Sequence, residues 1–409
     1  MIPYGKQDIN KADIDSVLDV LQSDYLTQGQ QVPLFEKIVS EYCGAKYGVA
    51  VNSATSALHT ACLALGLKKG DYLWTSPNSF VASANCGLYC GAKVDFVDID
   101  PLTYNLSPSE LEKKLILAKK NNKLPKIVIP VHFAGQSCDM KRINSLSKEY
   151  NFKIIEDASH AIGGKYLDKP IGGCQYSDIT VFSFHPVKII TTAEGGLATT
   201  NDEVLAERMR LYRSHGITRD SKLTTKKVEG KWHYQQVDLG FNYRMTELQA
   251  ALGISQMKRL DLFIAKRHNL QKRYDSLLND DLPVIKPFQD QDSYSSLHLY
   301  PIQINLDKKS ISRKEIYDNF RSNDIGVNVH YIPIHTQPYF QELGFKIGDF
   351  PNSEAYYSRV ISIPLFHGMT LKQQDKICCT LIRALKTKFG KDRPEAGVKE
   401  SKKKILNFF

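Results

Sequence analysis

Lys188 is the first residue whose surroundings call for a chemical explanation. The apolar run Ile179-Thr180-Val181-Phe182 leads into Ser183, His185 and Lys188. The pair Gly195-Gly196 and a second β-like run, Leu197-Ala198-Thr199-Thr200, follow. A lysine between strands is most often a solvated edge residue. Apolar and small neighbours, however, solvate an ammonium poorly and lower its pKa. Such an amine can form a Schiff base with an aldehyde, and this raises the question of a pyridoxal phosphate site. That site also needs a carboxylate facing the ring nitrogen, so that the ring acts as an electron sink. Asp157 follows the buried-strand run Ile154-Ile155 and precedes Lys188 by the length of one strand and its connection. Alone it reads as a loop or N-cap aspartate; beside Lys188 it reads as the partner of a pyridinium. Upstream, Tyr47–Val51 reads as a strand, Asn52-Ser53-Ala54-Thr55 as a tight turn, and Ala57, Leu58, Ala61, Cys62 and Leu65 as a helical face. The free N–H groups and the dipole at that helix start suit a phosphate, although most such turns are plain N-caps.

The elements that must position these groups alternate between residues 47 and 200. Strand patterns cover Tyr47–Val51, Tyr72–Thr75, Val94–Val97, Ile127–Pro130, Lys153–Ile155 and Asp178–Ser183. Several are continuous apolar runs, as expected when helices cover both faces of a sheet. The pattern is that of an α/β fold with a three-layer, mainly parallel sheet, whose ligands collect at the carboxyl ends of the strands. Asn52–Thr55, Asp157 and Ser183–Lys188 all fall at such ends. Residues 13–23 have helical spacing, with Ile14, Val17, Leu18 and Leu21 on one face. Residues 1–245 are expected to hold an N-terminal segment and the large cofactor-binding domain. A capping box at Thr246 and Gln249 opens a long connecting helix over 246–280. Residues 281–388 read as a smaller α+β domain, with strand-like runs at Leu299–Ile304, Val327–Val329 and Val360–Ile363 and helix-like runs at Arg313–Phe320 and Leu371–Leu385. Residues 389–409 read as a charged, disordered tail.

The chain has 409 residues, 42% of them hydrophobic, enough for a large core. No apolar stretch approaches the roughly 18 residues that span a bilayer, and the first residues lack a signal-peptide apolar region. Eight scattered cysteines form no Cys-x-x-Cys pair and no cluster with histidine; they read as core residues in a reducing cytoplasm, and no metal site is expected. The formal net charge of +10 raises nucleic-acid binding. The excess lies in short lysine runs without interleaved aromatics, so a solvated surface with some attraction for anionic substrates is the better reading. Neither nucleic acid nor membrane is an expected partner.

These segments together resemble the DegT/DnrJ/EryC1/StrS sugar-nucleotide aminotransferases, from Pro3-Tyr4-Gly5 to about Ile382. The resemblance rests on Leu26-Thr27-Gln28-Gly29, Asn52-Ser53-Ala54-Thr55, Ser79-Phe80-Val81-Ala82-Ser83-Ala84-Asn85, His132-Phe133-Ala134-Gly135-Gln136, Glu156-Asp157-Ala158, the Lys188 stretch, Arg213-Ser214-His215-Gly216 and Gly240-Phe241-Asn242-Tyr243-Arg244-Met245. It implies a fold-type I enzyme that uses pyridoxal 5′-phosphate, L-glutamate as amino donor and a nucleotide-linked keto-sugar as acceptor. Lys188 is then the catalytic residue, holding the cofactor and later moving a proton as free base and acid. Phe80 stacks on the ring, while Ala54, Thr55 and Ser183 hold the phosphate. His160 hydrogen-bonds the phenolic oxygen, and Asn242 reaches the phosphate of a neighbouring subunit, which implies a homodimer. Tyr4, Asp24, Tyr25, Leu26, Thr27, Asn328, Val329, His330 and Tyr331 line the sugar-nucleotide pocket, with Ala54, Ser183 and Asn242 at its edge. His185 is strand-end packing or substrate lining. Ala54 and Ala193 stand where many relatives have glycine, which matters only if the backbone there needs a positive φ. Within the family, Ser159-His160, the run Ile190–Gly196 and the opening Pro3–Gln7 look most like the pseudaminic-acid branch. That branch aminates C4 of a UDP-linked 4-keto-6-deoxy-N-acetylhexose to UDP-4-amino-4,6-dideoxy-N-acetyl-β-L-altrosamine. The alternatives are a perosamine- or bacillosamine-type acceptor and, less favoured because the lysine is present, a pyridoxal-dependent sugar dehydratase.

Overall fold

Apolar runs of three to five residues build the centre of the molecule. The computed structural model describes residues 1–226, 229–305 and 312–389. In chain order its first half holds α1 (Lys11–Leu21), α2 (Gln31–Cys43), β1 (Tyr47–Val51), α3 (Ala54–Ala64), β2 (Tyr72–Thr75), α4 (Ala82–Tyr89), β3 (Lys93–Phe96), α5 (Pro108–Lys120), β4 (Ile127–Ile129), α6 (Met140–Tyr150) and β5 (Lys153–Asp157). The short β6 (Lys165–Tyr166) and β7 (Lys169–Pro170) precede β8 (Ile179–Ser183), β9 (Gly196–Thr200) and α7 (Glu203–Arg213). The chain continues through β10 (Ile217–Thr218), β11 (Gln235–Gln236), α8 (Glu247–Met257), α9 (Leu260–Leu277), β12 (Val284–Ile285), β13 (Ser293–Tyr294), β14 (Tyr300–Ile304) and α10 (Arg313–Ser322). It ends with α11 (Pro338–Glu342), α12 (Pro351–Arg359), β15 (Val360–Ile363) and α13 (Leu371–Phe389).

The main sheet is seven-stranded, in the order β1-β9-β8-β5-β4-β2-β3, and only β9 runs against the others. Side chains alternate across it. Ile127 and Ile129 pack with Leu58 of α3 and Met209 of α7 on one face. Val128 packs with Leu115 of α5 and Ile143 of α6 on the other. At the β8–β9 side that second face is closed by α2 and α8, where Phe182 and Leu197 meet Phe35, Val39 and Ala250. Both faces are therefore dry at the centre of the sheet, which is why a central strand such as β4 carries no polar alternation. Full burial of a side chain such as Ile155 or Phe182 stabilises the fold by about 1.5–3 kcal/mol. A second core joins α9, α10 and α13 to the sheet β12-β14-β15.

Two expectations change, and a third element takes an orientation that its spacing left open. The connecting helix is two helices, α8 and α9, because Arg259 leaves helical geometry (φ −114°, ψ 3°). Its guanidinium is held by Asp8 and Asp13. Asp13, fully buried, also accepts from Ser255 Oγ (2.6 Å) and Gln256 Nε2 (2.8 Å). This anchor docks α1 on the last turn of α8, and helical periodicity carries no trace of it. Val327–Val329 is no strand: only Asn328 bridges to Ser362 of β15, while the neighbouring Gly326 N–H donates to Ile2 O (2.6 Å). Finally, α1 buries Asp13 and Val20 and leaves Ile14, Leu18 and Leu21 at least 44% exposed, so its apolar face points outward. The tail expected over 389–409 lies outside the described residues, apart from Phe389 at the end of α13.

Ala193 has φ 66°, whereas Ala54 simply opens α3. A left-handed conformation costs an L-residue about 1 kcal/mol. Ala193→Gly is therefore expected to stabilise the fold by up to about 1 kcal/mol, measured as a higher urea midpoint at unchanged slope.

Candidate active site

Strand register gathers the chemistry at one sheet edge. Gly196, the first residue of β9, faces Val51 at the end of β1 on one side and Ser183 at the end of β8 on the other. Asp157 ends β5 opposite Val181 of β8. The turn Asn52–Thr55, the loop Ser183–Lys188 and Asp157 thus leave neighbouring strands in the same direction. Gly196 permits the closest approach: a Cβ there would lie 2.4 Å from the Ser53 carbonyl and 2.5 Å from the Ala54 nitrogen. Gly196→Ala must push the turn outward. It is expected to cost about 1–3 kcal/mol and to weaken binding of pyridoxal phosphate, measured by thermal denaturation and cofactor titration.

Lys188 sits half-buried on the loop after β8. Burial lowers its pKa to about 8, and the Asp157 carboxylate opposes part of that shift. Asp157 is buried and its carboxylate is fixed from two sides. Ser83 Oγ donates to Oδ2 (2.6 Å) and Ser159 N–H to Oδ1 (3.1 Å). Ser79 Oγ lies 2.8 Å from Ser83 Oγ and extends the chain of hydroxyls.

Ser53 caps α3, its side chain accepting from Ser56 N–H (3.1 Å). The N–H groups of Ala54 and Thr55 belong to the first helical turn and have no intrahelical acceptor. Ser183 lies beside them through Gly196. Phe80, between β2 and α4, is 61% exposed, an uncovered aromatic face at the strand ends. A low-pKa amine, a fixed carboxylate, an open helix start and a free aromatic face are what a flat, phosphorylated pyridine aldehyde requires. The residues present fit pyridoxal phosphate.

The smaller C-terminal part closes the site with Asn328–Tyr331. His330 Nδ1 lies 2.8 Å from Ser362 Oγ, and Asn328 Nδ2 donates to His330 Nε2 (3.3 Å). Burial, then the Lys188 charge, pushes the His330 pKa down to about 3. Tyr4 packs its ring 5.6 Å from that of His330. Tyr331 N–H donates to Asn78 Oδ1 (3.3 Å), and its hydroxyl lies 3.1 Å from His160 Nε2. His160 is buried, and burial, Lys188 and His330 hold its pKa well below the usual value. Val329 packs beside Phe133 and Tyr356.

Other candidates stand apart. Asp24, Tyr25, Leu26 and Thr27 are all exposed. Asn242 is exposed too, its backbone bridged to Ser214. His185 is exposed, 3.9 Å from Glu194. Sequence reading gave no role to Ser83, Asn78 or His298, whose ring lies 4.4 Å from that of His160. Ser83 lay within a recognised segment; its spacing to Phe80, one helical turn, was the available signal.

The model of the DegT/DnrJ/EryC1/StrS aminotransferase family matches residues 7–382. The chain belongs to this family. It is 38% identical, over 94% of this chain and 98% of the relative, to the UDP-4-amino-4,6-dideoxy-N-acetyl-beta-L-altrosamine transaminase of Campylobacter jejuni. It is 37% identical, over 92% and 95%, to the spore coat polysaccharide biosynthesis protein SpsC of Bacillus subtilis. Among solved structures, Helicobacter pylori PseC, an aminotransferase involved in pseudoaminic acid biosynthesis, superposes with a TM-score of 0.86 at 32% identity, covering 94% of this chain and 99% of PseC. The fold-type I architecture of the DegT/DnrJ/EryC1/StrS aminotransferases is thus the architecture of this chain. No helix among its described residues is long and apolar enough to cross a membrane.

Proposed function

We propose that the protein transfers an amino group from L-glutamate to C4 of a UDP-linked 4-keto-6-deoxy-N-acetylhexose. The product is UDP-4-amino-4,6-dideoxy-N-acetyl-β-L-altrosamine, an intermediate of pseudaminic acid biosynthesis. The likeness to the Campylobacter transaminase across 94% of the chain carries the sugar assignment. The lowered pKa of the buried Lys188 amine, with the Asp157 carboxylate close enough to oppose part of the shift, supports the chemistry.

Bound pyridoxal phosphate supplies an electrophilic carbon and a ring that accepts electrons from the carbon losing its proton. The chain does the rest. Asp157, held by Ser83 and Ser159, keeps a negative charge for the ring nitrogen. Ala54, Thr55 and Ser183 hold the phosphate, and Phe80 covers the ring. Lys188, with a pKa of about 8, is poised near neutral pH to take a proton from one carbon and return it to another. His160 and Tyr331 face the same space. Tyr4 and Asn328–Tyr331 contact the sugar nucleotide. Asp24–Thr27 and Asn242 point to solvent in one chain, and we assign them to the site of a second copy in a homodimer. The exposed Ile14, Leu18 and Leu21, with Trp232 at 72% and Tyr234 at 55% exposure, support such an interface. Eight free thiols support a reducing, cytoplasmic location.

A second reading, amination of another keto-sugar of perosamine or bacillosamine type, draws on the nearly equal likeness to SpsC. A substrate screen separates the two. Glutamate should bleach the visible band of the yellow protein, and the correct keto-sugar nucleotide should restore it. Restoration by the altrosamine precursor at least about tenfold faster than by the alternatives, a difference of ~1.4 kcal/mol in barrier, is the expected result. Restoration only by another sugar would replace the first reading with the second. Loss of water from a 4-keto-6-deoxy sugar would make the protein a dehydratase.

A further inference from the structure

We infer that Arg267 is a positioning residue for the cofactor: it fixes the Leu297–His298 segment so that the His298 ring lies against His160, the imidazole that meets the phenolic oxygen. This rests on the proposed pyridoxal phosphate enzyme and deepens the account of how its ring is held.

Arg267 lies in α9 and is only 2% exposed. One nitrogen, Nη1, donates to three backbone carbonyls, those of Leu297 (3.1 Å), His298 (3.2 Å) and Leu365 (2.9 Å). No carboxylate among the described residues pairs with the guanidinium, and burial alone lowers its pKa, to about 10. It stays charged at neutral pH. A buried charge without a counter-ion is costly, so its place needs a reason beyond filling the core. That reason is the backbone it gathers. Leu297 has φ 50°, a left-handed conformation that an L-residue keeps only where its surroundings hold it.

The same segment is held by the turn after β4. Ser296 N–H donates to Gly135 O (3.0 Å) and His298 N–H to Ala134 O (2.8 Å). A Cβ on Gly135 would lie 2.8 Å from Leu297 N and 3.1 Å from His298 N, so the two stretches meet with no room for a side chain. Ala134 also donates its own N–H to His160 Nδ1 (3.3 Å). That bond leaves the proton of the neutral ring on Nε2, available to an acceptor in the site. One residue thus joins both histidines, and their ring centres lie 4.4 Å apart with the planes tilted by 39°. His298 Nδ1 is buried and has no hydrogen-bond partner among the described residues; what this ring gives its neighbour is a face. The third carbonyl extends the reach of Arg267. Leu365 N–H donates to Tyr4 O (3.2 Å), and the Tyr4 ring lies beside His330. The guanidinium ties the backbone that carries His298 to the segment that carries Tyr4.

A donor on the phenolic oxygen weakens that oxygen's hold on the proton of the neighbouring nitrogen. A loosened His160 should therefore raise the pH midpoint of the visible band of the protein loaded with pyridoxal phosphate. His160→Ala should raise it by about one to two units, the worth of a hydrogen bond to a charged group. His298→Leu, which removes the ring and keeps the backbone bonds, should raise it by about half a unit to one unit, a part of that loss. Arg267→Met should do the same, and Arg267→Lys, which keeps the charge and carries three donors on one nitrogen, should recover most of the shift. On the His160→Ala background neither His298→Leu nor Arg267→Met should move the midpoint further. If Arg267→Met does not fold, His298→Leu decides. An unmoved midpoint in His298→Leu overturns the inference, as does a full further shift of Arg267→Met on the His160→Ala background, which would mean that the arginine acts by its charge alone. An unmoved midpoint in His160→Ala removes His160 from the phenolic oxygen and overturns the inference while the enzyme reading stands. If the wild-type protein develops no visible band with pyridoxal phosphate, the cofactor reading itself fails and this inference falls with it.

Discussion

Lys188→Ala is expected to lose turnover by about 10³-fold or more while still binding pyridoxal phosphate noncovalently. Positioned proton transfer alone contributes roughly 10²–10⁴-fold, and the lysine is the one low-pKa amine described at this sheet edge. Retained binding follows from the other contacts, since the turn at Ser53–Thr55, Ser183 and Asp157 do not depend on the lysine. The readouts are the visible band, which should move to that of free aldehyde, and the single-turnover rate with glutamate. A variant that transaminates at the wild-type rate would sink the assignment. The pH profile gives a second check with a definite sign. With the cofactor in its amino form the lysine is free, and the step in which it removes a proton needs the neutral amine. Its pKa is about 8, so that rate should rise with pH through about 8 and level off above it. A rise centred near the ordinary lysine value would mean that burial does not tune the group.

Asp157→Asn should be the other severe lesion. The amide keeps the shape of the side chain but not the charge that favours a protonated ring nitrogen. Removing one partner of a buried charge pair costs about 3–5 kcal/mol, which corresponds to roughly 10²–10⁴-fold in rate at 1.36 kcal/mol per decade. The loss should appear in the rate of proton removal rather than in glutamate binding. Ser83→Ala is the graded companion. It removes one donor to Oδ2 and should cost about 1.5–3 kcal/mol, as for a hydrogen bond to a charged group. If Asp157→Asn were as active as wild type, the carboxylate would be structural, and the ring nitrogen would need another partner.

The two halves of the site differ in how much local pattern betrays them. Lys188, Asp157 and the Ser53–Thr55 turn each stand at the end of an apolar run, and the α/β alternation alone sends such ends to one edge of a sheet. The strands Tyr47–Val51, Tyr72–Thr75 and Val360–Ile363 were legible to the residue because buried strands need uninterrupted apolar runs. The single helix over 246–280 was misread. Arg259 is a good helix former, and the ion pairs it makes at the break with Asp8 and Asp13, some 250 residues away in sequence, leave no local trace. Val327–Val329 looked like a strand for the same reason of composition, yet its neighbours spend their hydrogen bonds on the N-terminal segment.

Apolar spacing by itself determined the strands of the sheet and its dry centre, because these depend on periods of two to four residues, while the family was legible only as a likeness of motifs. The tertiary structure alone decided that Ser83 fixes Asp157, that Gly196 must lack a Cβ, that α1 turns its apolar face outward and that Tyr331 meets His160. Those are contacts between residues far apart in the chain. Their geometry is set by sheet register and domain packing, and no local pattern encodes it.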